Sequence, residues 1–180
     1  MTNGLCLRGV GIAGSPDRST MRRAMGSFAT GVTVVSALAD GRASGMTANS
    51  LTSVSLEPPT LLVSLTEGAR TTESVVAAGT FAVSVLSAGQ DHVAQRFARA
   101  GQDHFAGLPL DLGGHEVPVV PDALFHLVCS VTEVVAVGDH RVIFGEVRQM
   151  CQRDGRPLVF HAGRFGDFGR RDAADELWFS

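Results

Sequence analysis

The sequence predicts a mainly β fold with short helices, its strands curling into a small closed barrel with the helices at its ends. Three observations carry this. About six or seven β-rich runs, each bounded by turn residues, lie between Val32 and His161. Asp40-Gly41, between two of them, is a strong hairpin signal. Nowhere do strands and helices alternate in the rhythm of a doubly wound sheet.

The chain divides into a Gly-rich leader (1–18), a folded domain (19–168) and a charged, exposed tail (169–180). The leader contains Gly9-Val10-Gly11-Ile12-Ala13-Gly14, a literal GxGxxG. A dinucleotide fingerprint needs a strand before it and a helix opening at its third glycine. Only Leu5-Cys6-Leu7 precedes this one and Ser15-Pro16-Asp17 follows, so a mobile leader is favoured over a Rossmann loop. Ser19 or Thr20 is expected to cap a helix carrying Met21, Ala24, Met25 and Phe28 on one face, closed by Gly31. Strands follow at Val32–Leu38, Ala43–Ser50 and Thr60–Leu65. Thr71 can cap a short helix through Val75, stopped by Gly79. Phe81–Leu86 alternates as a strand, and Ser87-Ala88-Gly89-Gln90 has capping-box spacing. It opens a helix with Val93, Ala94, Phe97 and Ala98 on one face, ended by Gly101.

Residues 101–122 are irregular and long enough for a lid or a site wall. His104 and His115 within them are expected to be surface histidines. Leu124–Val137 places Phe125, Leu127, Cys129 and Val131 on one face, and its alternation slips after Thr132, which suggests a bulge. Gly138-Asp139-His140 turns the chain into Arg141–Met150, and Leu158–His161 is the last strand.

Composition narrows the function. At 180 residues and 44% hydrophobic, the chain fits one globular domain. Its formal charge of -3 gives no broad attraction to nucleic acid or acidic membranes. Every basic residue is arginine, which excludes a lysine nucleophile or Schiff base. Cys6, Cys129 and Cys151 are scattered and odd in number, without zinc spacing, and fit a reducing compartment. No apolar run has transmembrane length and no secretory signal is visible, so a cytoplasmic location is expected. No metal site is expected.

The stretch Ser44–Pro59 stands out. Small side chains at Ala48 and Ser50 leave main-chain groups open to a flat partner. Thr47, Asn49, Ser50, Ser53 and Ser55 supply neutral donors and acceptors. Gly45 can take backbone angles closed to other residues, and Pro58-Pro59 ends the run. Such a ribbon suits an uncharged polar ring with a hydroxylated tail; a plain Ser/Thr-rich edge strand and loop has the same composition. Downstream, Arg70, Thr71, Thr72 and the free N–H groups of a helix's first turn could converge on an anion, although Glu73 shares that turn. An ordinary capped helix is the alternative.

Several motifs, in order, resemble the flavin reductase family. They are Phe28-Ala29-Thr30-Gly31-Val32-Thr33-Val34-Val35, Gly45-Met46-Thr47-Ala48-Asn49-Ser50 and Ser53-Val54-Ser55-Leu56-Glu57-Pro58-Pro59. Phe81–Leu86, Phe97-Ala98, Gly138-Asp139-His140 and Gly145-Glu146-Val147 complete the set, which runs from about Met21 to Phe168. The resemblance implies an FMN-binding split β-barrel, Greek-key-like and homodimeric. It implies NAD(P)H-dependent reduction of FMN or FAD, with reduced flavin passed to a separate monooxygenase.

By that resemblance Thr47, Ala48, Asn49 and Ser50, with Ser53 and Phe97, belong to the flavin site. Ser64, Leu65, Arg70, Thr71 and Thr72 approach the phosphate end. His140 lies on the nicotinamide side, and Phe160, His161 and Arg164 contribute to the nicotinamide region. The tyrosine frequent in that last strand is absent here; Phe160 and Phe165 are the available rings. Hydride transfer from NADH or NADPH to a flavin needs ring alignment more than protein acid–base groups, which fits a chain without triad or carboxylate pair. His140 could donate a proton or position the nicotinamide, or be a turn histidine bonded to Asp139. A flavoredoxin-type electron carrier and a pyridoxamine-phosphate-oxidase-like enzyme are the rivals; scarce basic phosphate ligands count against the second.

Overall fold

The computed structural model describes residues 14–99, 101, 103–107 and 117–168. Three helices, α1 (Arg18–Gly26), α2 (Arg70–Ala78) and α3 (Asp91–Phe97), accompany the strands. These are β1 (Thr30–Gly31), β2 (Thr33–Ala39), β3 (Arg42–Ala48), β4 (Thr52–Leu56), β5 (Pro59–Thr66), β6 (Thr80–Val85), β7 (Phe125–Val137), β8 (His140–Gln152), β9 (Leu158–His161) and β10 (Arg164–Asp167).

All strand pairings are antiparallel, in a seven-stranded sheet ordered β3-β2-β6-β7-β8-β5-β4 and a small sheet ordered β1-β9-β10. The large sheet's two edges, β3 and β4, are consecutive in the chain, joined through Asn49-Ser50-Leu51, and do not pair with each other. The barrel is therefore split between them, as the family resemblance implied. One side chain bridges the gap: the Ser50 hydroxyl donates to the Ser64 carbonyl on β5 (2.8 Å) and accepts from the Ser64 N–H (3.0 Å).

Val35, Ala37, Val63, Leu65, Phe81, Val83, Cys129 and Ile143 fill the barrel interior, with Val75 of α2 covering one mouth. On the other face of β2, Val34 and the preceding Val32 are buried against Leu86, Ala94, Phe97 and Phe105. A strand covered on both faces reads as a continuous apolar run, which Val32–Leu38 is. The expected hairpin is present, with Asp40 (φ 50°) and Gly41 (φ 69°) both left-handed. The expected bulge is present too: the β7–β8 register shifts between Val131 and Glu133, and again between Val128 and Cys129.

Several boundaries differ from expectation. Asp17, not Ser19 or Thr20, caps α1, its side chain accepting from the Thr20 N–H. The helix stops at Gly26, so Gly31 lies in β1 instead. None of the α1 residues is buried; Met21, Met25 and the following Phe28 stand exposed. Ala69, without a side-chain cap, precedes α2, because Thr71 turns into the protein and is buried. Only half of the Ser87–Gln90 box forms: Gln90 Oε1 accepts from the Ser87 N–H, while α3 itself starts at Asp91 and ends before Ala98. The Ser/Thr ribbon is two strands, with Pro59 opening β5. The GxGxxG segment, Cys6, His115 and the tail lie outside the described residues, save Gly14.

Candidate functional site

Edge strand β3 organises the site, because its outer side has no strand partner. Cavities lie in order along it. At its C-terminal end a cavity of about 600 Å³ is walled by Met25, Phe28, Val85 and Phe125 and edged by Asn49, Ser50 and Thr30. The Thr30 hydroxyl is buried and has no partner among the described residues. Farther back, Gly45 and Thr47 face the start of α2 (Arg70, Thr71) and the end of α3 (Phe97) across about 390 Å³.

Many of the ribbon's polar groups are already engaged. Thr47 Oγ1 donates to the Ala94 carbonyl (2.6 Å), tying β3 to α3. Thr33 Oγ1 donates to the Ala48 carbonyl (2.8 Å). Ser50 holds Ser64, and Ser55 bonds the Glu57 main chain. Asn49 and Ser53 stay exposed, and Asn49 lies on the rim of the ring-sized cavity and of a neighbouring one beside Phe160.

Gly45 is required for space and not for backbone freedom, which corrects the expectation. Its φ is not positive, but a Cβ there would lie 2.8 Å from the Phe97 ring and 3.1 Å from Phe105. His104, expected at the surface, is 6% exposed, and its Nδ1 contacts the Gly45 carbonyl at 2.8 Å. It also packs 5.3 Å from Phe97, whose ring meets Phe105 edge-on at 5.0 Å. Arg96 bonds the Ala106 carbonyl, so the 103–107 segment is pinned onto β3. A lone His-Phe pair in a Gly-rich stretch carries no periodic signal, which is why the sequence hid it.

The register brings two further predicted residues to one end of the barrel. Ser64 pairs with Val142 and Thr66 with His140, so His140 lies about 7 Å along β8 from the residue opposite Ser64. The Glu67 N–H donates to the Asp139 carbonyl (3.0 Å), placing the turn before Arg70 against the Gly138-Asp139-His140 turn. His140 Nδ1 meets Asp139 Oδ1 at 2.7 Å. That contact, with Arg18 also near, holds the Asp139 carboxyl below the usual carboxylate range.

Arg141, which sequence reasoning missed, answers the doubt over Glu73. It bonds Glu67 through Nε (2.8 Å) and Nη2 and approaches Glu73 at 3.5 Å. Glu67 is thereby held low, and one of the two negative charges beside the α2 N-terminus is offset. The only signal was period-two placement of Arg141 beside a carboxylate-bearing turn on the paired strand, visible once register is known.

Other predicted residues turn into the fold or lie on other surfaces. Leu65, 1% exposed, is core. Thr72 is fully buried and donates to the Thr66 carbonyl (2.8 Å), so its hydroxyl belongs to the turn. Phe160 is half-buried against Phe165, centroids 5.3 Å apart, and lines the Asn49 side. His161 and Arg164 are exposed around a separate hollow on β9–β10. Among the described residues no group of three His, Cys, Asp or Glu side chains could hold a metal, and no helix is long and apolar enough to cross a membrane.

Residues 25–169 match the family model of the flavin reductase like domain. This chain belongs to that family. It is 40% identical over 160 residues to the FMN reductase (NADH) SmoA of Agrobacterium fabrum, covering 89% of this chain and 91% of that one. It is 35% identical over 155 residues to the flavin-dependent monooxygenase reductase subunit HsaB of Mycobacterium tuberculosis, covering 83% and 81%. The solved Streptomyces globisporus C-1027 NADH:FAD oxidoreductase SgcE6 superposes with TM-score 0.83 at 37% identity, covering 91% of this chain and all of that one. The same enzyme has been solved in complex with NAD and FAD fragments.

Proposed function

We propose that this protein is an NADH-dependent flavin reductase that reduces FMN or FAD and supplies the reduced flavin to a partner monooxygenase. The observation that carries the reading is the unpaired edge of β3, flanked by a cavity with apolar walls, the Asn49 amide and the orphaned Thr30 hydroxyl. A flavin has an apolar benzenoid end and a polar pyrimidine edge, and these residues fit both. Bound flavin supplies the hydride acceptor.

The chain's own residues bind and orient. Main-chain groups of Ala48–Ser50 face the ring edge and offset charge that develops there. Ser50 fixes the gap between β3 and β5, and so the height of that edge above the barrel. Arg70 and the first-turn N–H groups of α2 hold phosphate, and Arg141 offsets part of the negative charge of Glu67 and Glu73 beside it. His140, oriented by Asp139, positions the nicotinamide or supplies a proton.

The working unit is a homodimer in this reading. Its support is α1, which has no buried residue yet exposes Met21 and Met25, with Met25 and nearby Phe28 beside the ring cavity. The test is NADH oxidation by the purified protein with and without added FMN or FAD. Flavin-dependent oxidation is expected, and His140→Ala should lower kcat about tenfold or more while flavin affinity stays within twofold. A tightly held yellow cofactor without NADH oxidation would instead indicate an electron carrier.

A further inference from the structure

His104 is buried, and both of its ring nitrogens face main-chain carbonyls. Nδ1 lies 2.8 Å from the Gly45 oxygen on β3, and Nε2 lies 2.5 Å from the Arg99 oxygen just past α3. A carbonyl oxygen only accepts, and a neutral imidazole has one N–H and one bare lone pair. A neutral ring would set that lone pair against one of the two oxygens. Only the imidazolium donates to both.

The two bonds join parts of the candidate site. They tie β3 to the end of α3 and hold down the 103–107 segment, whose Phe105 packs on Gly45 and whose Ala106 carbonyl accepts from Arg96. His104, Gly45, Thr47 and Arg99 wall the cavity of about 390 Å³ that Arg70 of α2 also lines. Charged groups stand on every element around the ring. They are Arg42 on β3, Asp40 in its hairpin, Arg70 on α2, Arg96 and Arg99 at the end of α3, and Asp103 beside it in the chain. Asp103 accepts from the Phe105 N–H (3.1 Å), and Glu73 of α2 reaches toward Arg141 instead. No carboxylate pairs with His104 among the described residues, so the two carbonyls are what hold its protons.

We propose that His104 is a positioning residue acting as a proton-dependent latch: as the imidazolium it clamps the 103–107 segment onto β3 and fixes one wall of the Arg70 cavity, and loss of one proton releases that wall. The latch rests on reading this cavity as the phosphate end of the flavin site, and adds how pH regulates it. The protonated state closes the wall, so flavin affinity falls as pH rises.

The test is FAD affinity, by fluorescence titration of the full-length protein across the range where histidines change charge, about pH 5 to 8. FAD is used because the phosphate monoester of FMN itself ionises near pH 6. The wild type is expected to bind about fivefold more weakly at the upper end than at the lower. His104→Gln is expected to bind as weakly as the high-pH wild type, with no fall across the range. Nitrogen NMR of isotope-labelled wild type reads the ring itself and needs no variant, so it decides the matter even if His104→Gln does not fold. Both His104 nitrogens are expected to carry protons at the lower end, one proton leaving at the midpoint of the affinity change. A neutral ring throughout, an affinity that does not follow the ring, or a His104→Gln slope equal to that of the wild type would overturn the latch and leave the reductase reading intact. No FAD binding at any pH, together with no flavin-dependent NADH oxidation, would overturn both.

Discussion

Two halves of one polar ribbon have similar composition and opposite surroundings. From Gly45 to Ala48 the strand is closed over: Phe97 and Phe105 press on Gly45, His104 takes its carbonyl, and Thr47 is bonded to α3. From Asn49 to Thr52 it lies open, with an exposed amide, an orphaned neighbouring hydroxyl and the bare face of α1 alongside. A hydroxyl in the sequence is therefore not a ligand contact by itself. In the closed half hydroxyls hold the fold, and in the open half the groups left over are the ones that can meet a cofactor.

The sharpest way to break this contrast is to add one methyl group to each half. Gly45→Ala forces a Cβ to 2.8 Å from the buried Phe97 ring and should cost about 1–3 kcal/mol. Gly31→Ala, beside the open half, meets nothing within 4 Å and has no positive φ, so the urea midpoint should hardly move. Equal destabilisation of the two variants would remove the distinction. Next in size is Ser50→Ala, which leaves both Ser64 main-chain groups without their hydroxyl partner across the split. A loss of about 1–2 kcal/mol is expected, with weaker flavin binding because the β3–β5 gap relaxes. Unchanged denaturation would show that water replaces the bridge at no cost.

A finer test swaps the roles of neighbours. Thr47→Val should cost about 1 kcal/mol of stability, since it removes the bond to Ala94, and leave flavin affinity within twofold. Asn49→Ala should do the reverse, lowering affinity about tenfold without moving the melting point, because the amide is exposed on the cavity rim. Fluorescence titration with FMN and FAD separates the two outcomes.

The smallest effect expected is on pH dependence at the Arg70 end. Glu67 is held low first by its hydrogen bond to Arg141, and Asp139 first by His140. A carboxyl with a lowered folded pKa contributes stability above its unfolded value, near 4, which is lost as pH falls through the lowered folded value. Arg141→Leu should therefore flatten the acid side of the melting curve below about pH 4. Both pairs are solvent-exposed, so the change is small. An unaltered acid limb would show that the Arg141 pairs contribute nothing measurable.

Cys129 shows what local sequence reads well. Its alternation with Phe125, Leu127 and Val131 assigned it to the core, and burial pushes its thiol up to about 12. The Asp40-Gly41 hairpin, the Gly79 helix stop and the bulge after Val131 were legible for the same reason: each depends on a few adjacent residues. The sequence placed Leu65, Thr71 and Thr72 near the phosphate end but did not show that their side chains turn into the fold, because a motif records order and not direction.

The amino-acid order by itself determined the strands, the hairpins, the mainly β class and the ribbon that carries the family resemblance, because those signals are periodic or local. Tertiary structure alone decided that Gly45 is there for Phe97, that His104 is buried on β3, that Arg141 pairs with Glu67 and reaches Glu73, and that β3 keeps a free edge. Those facts join residues up to 74 positions apart. Pairing register and packing bring such residues together, and no short stretch of chain encodes them.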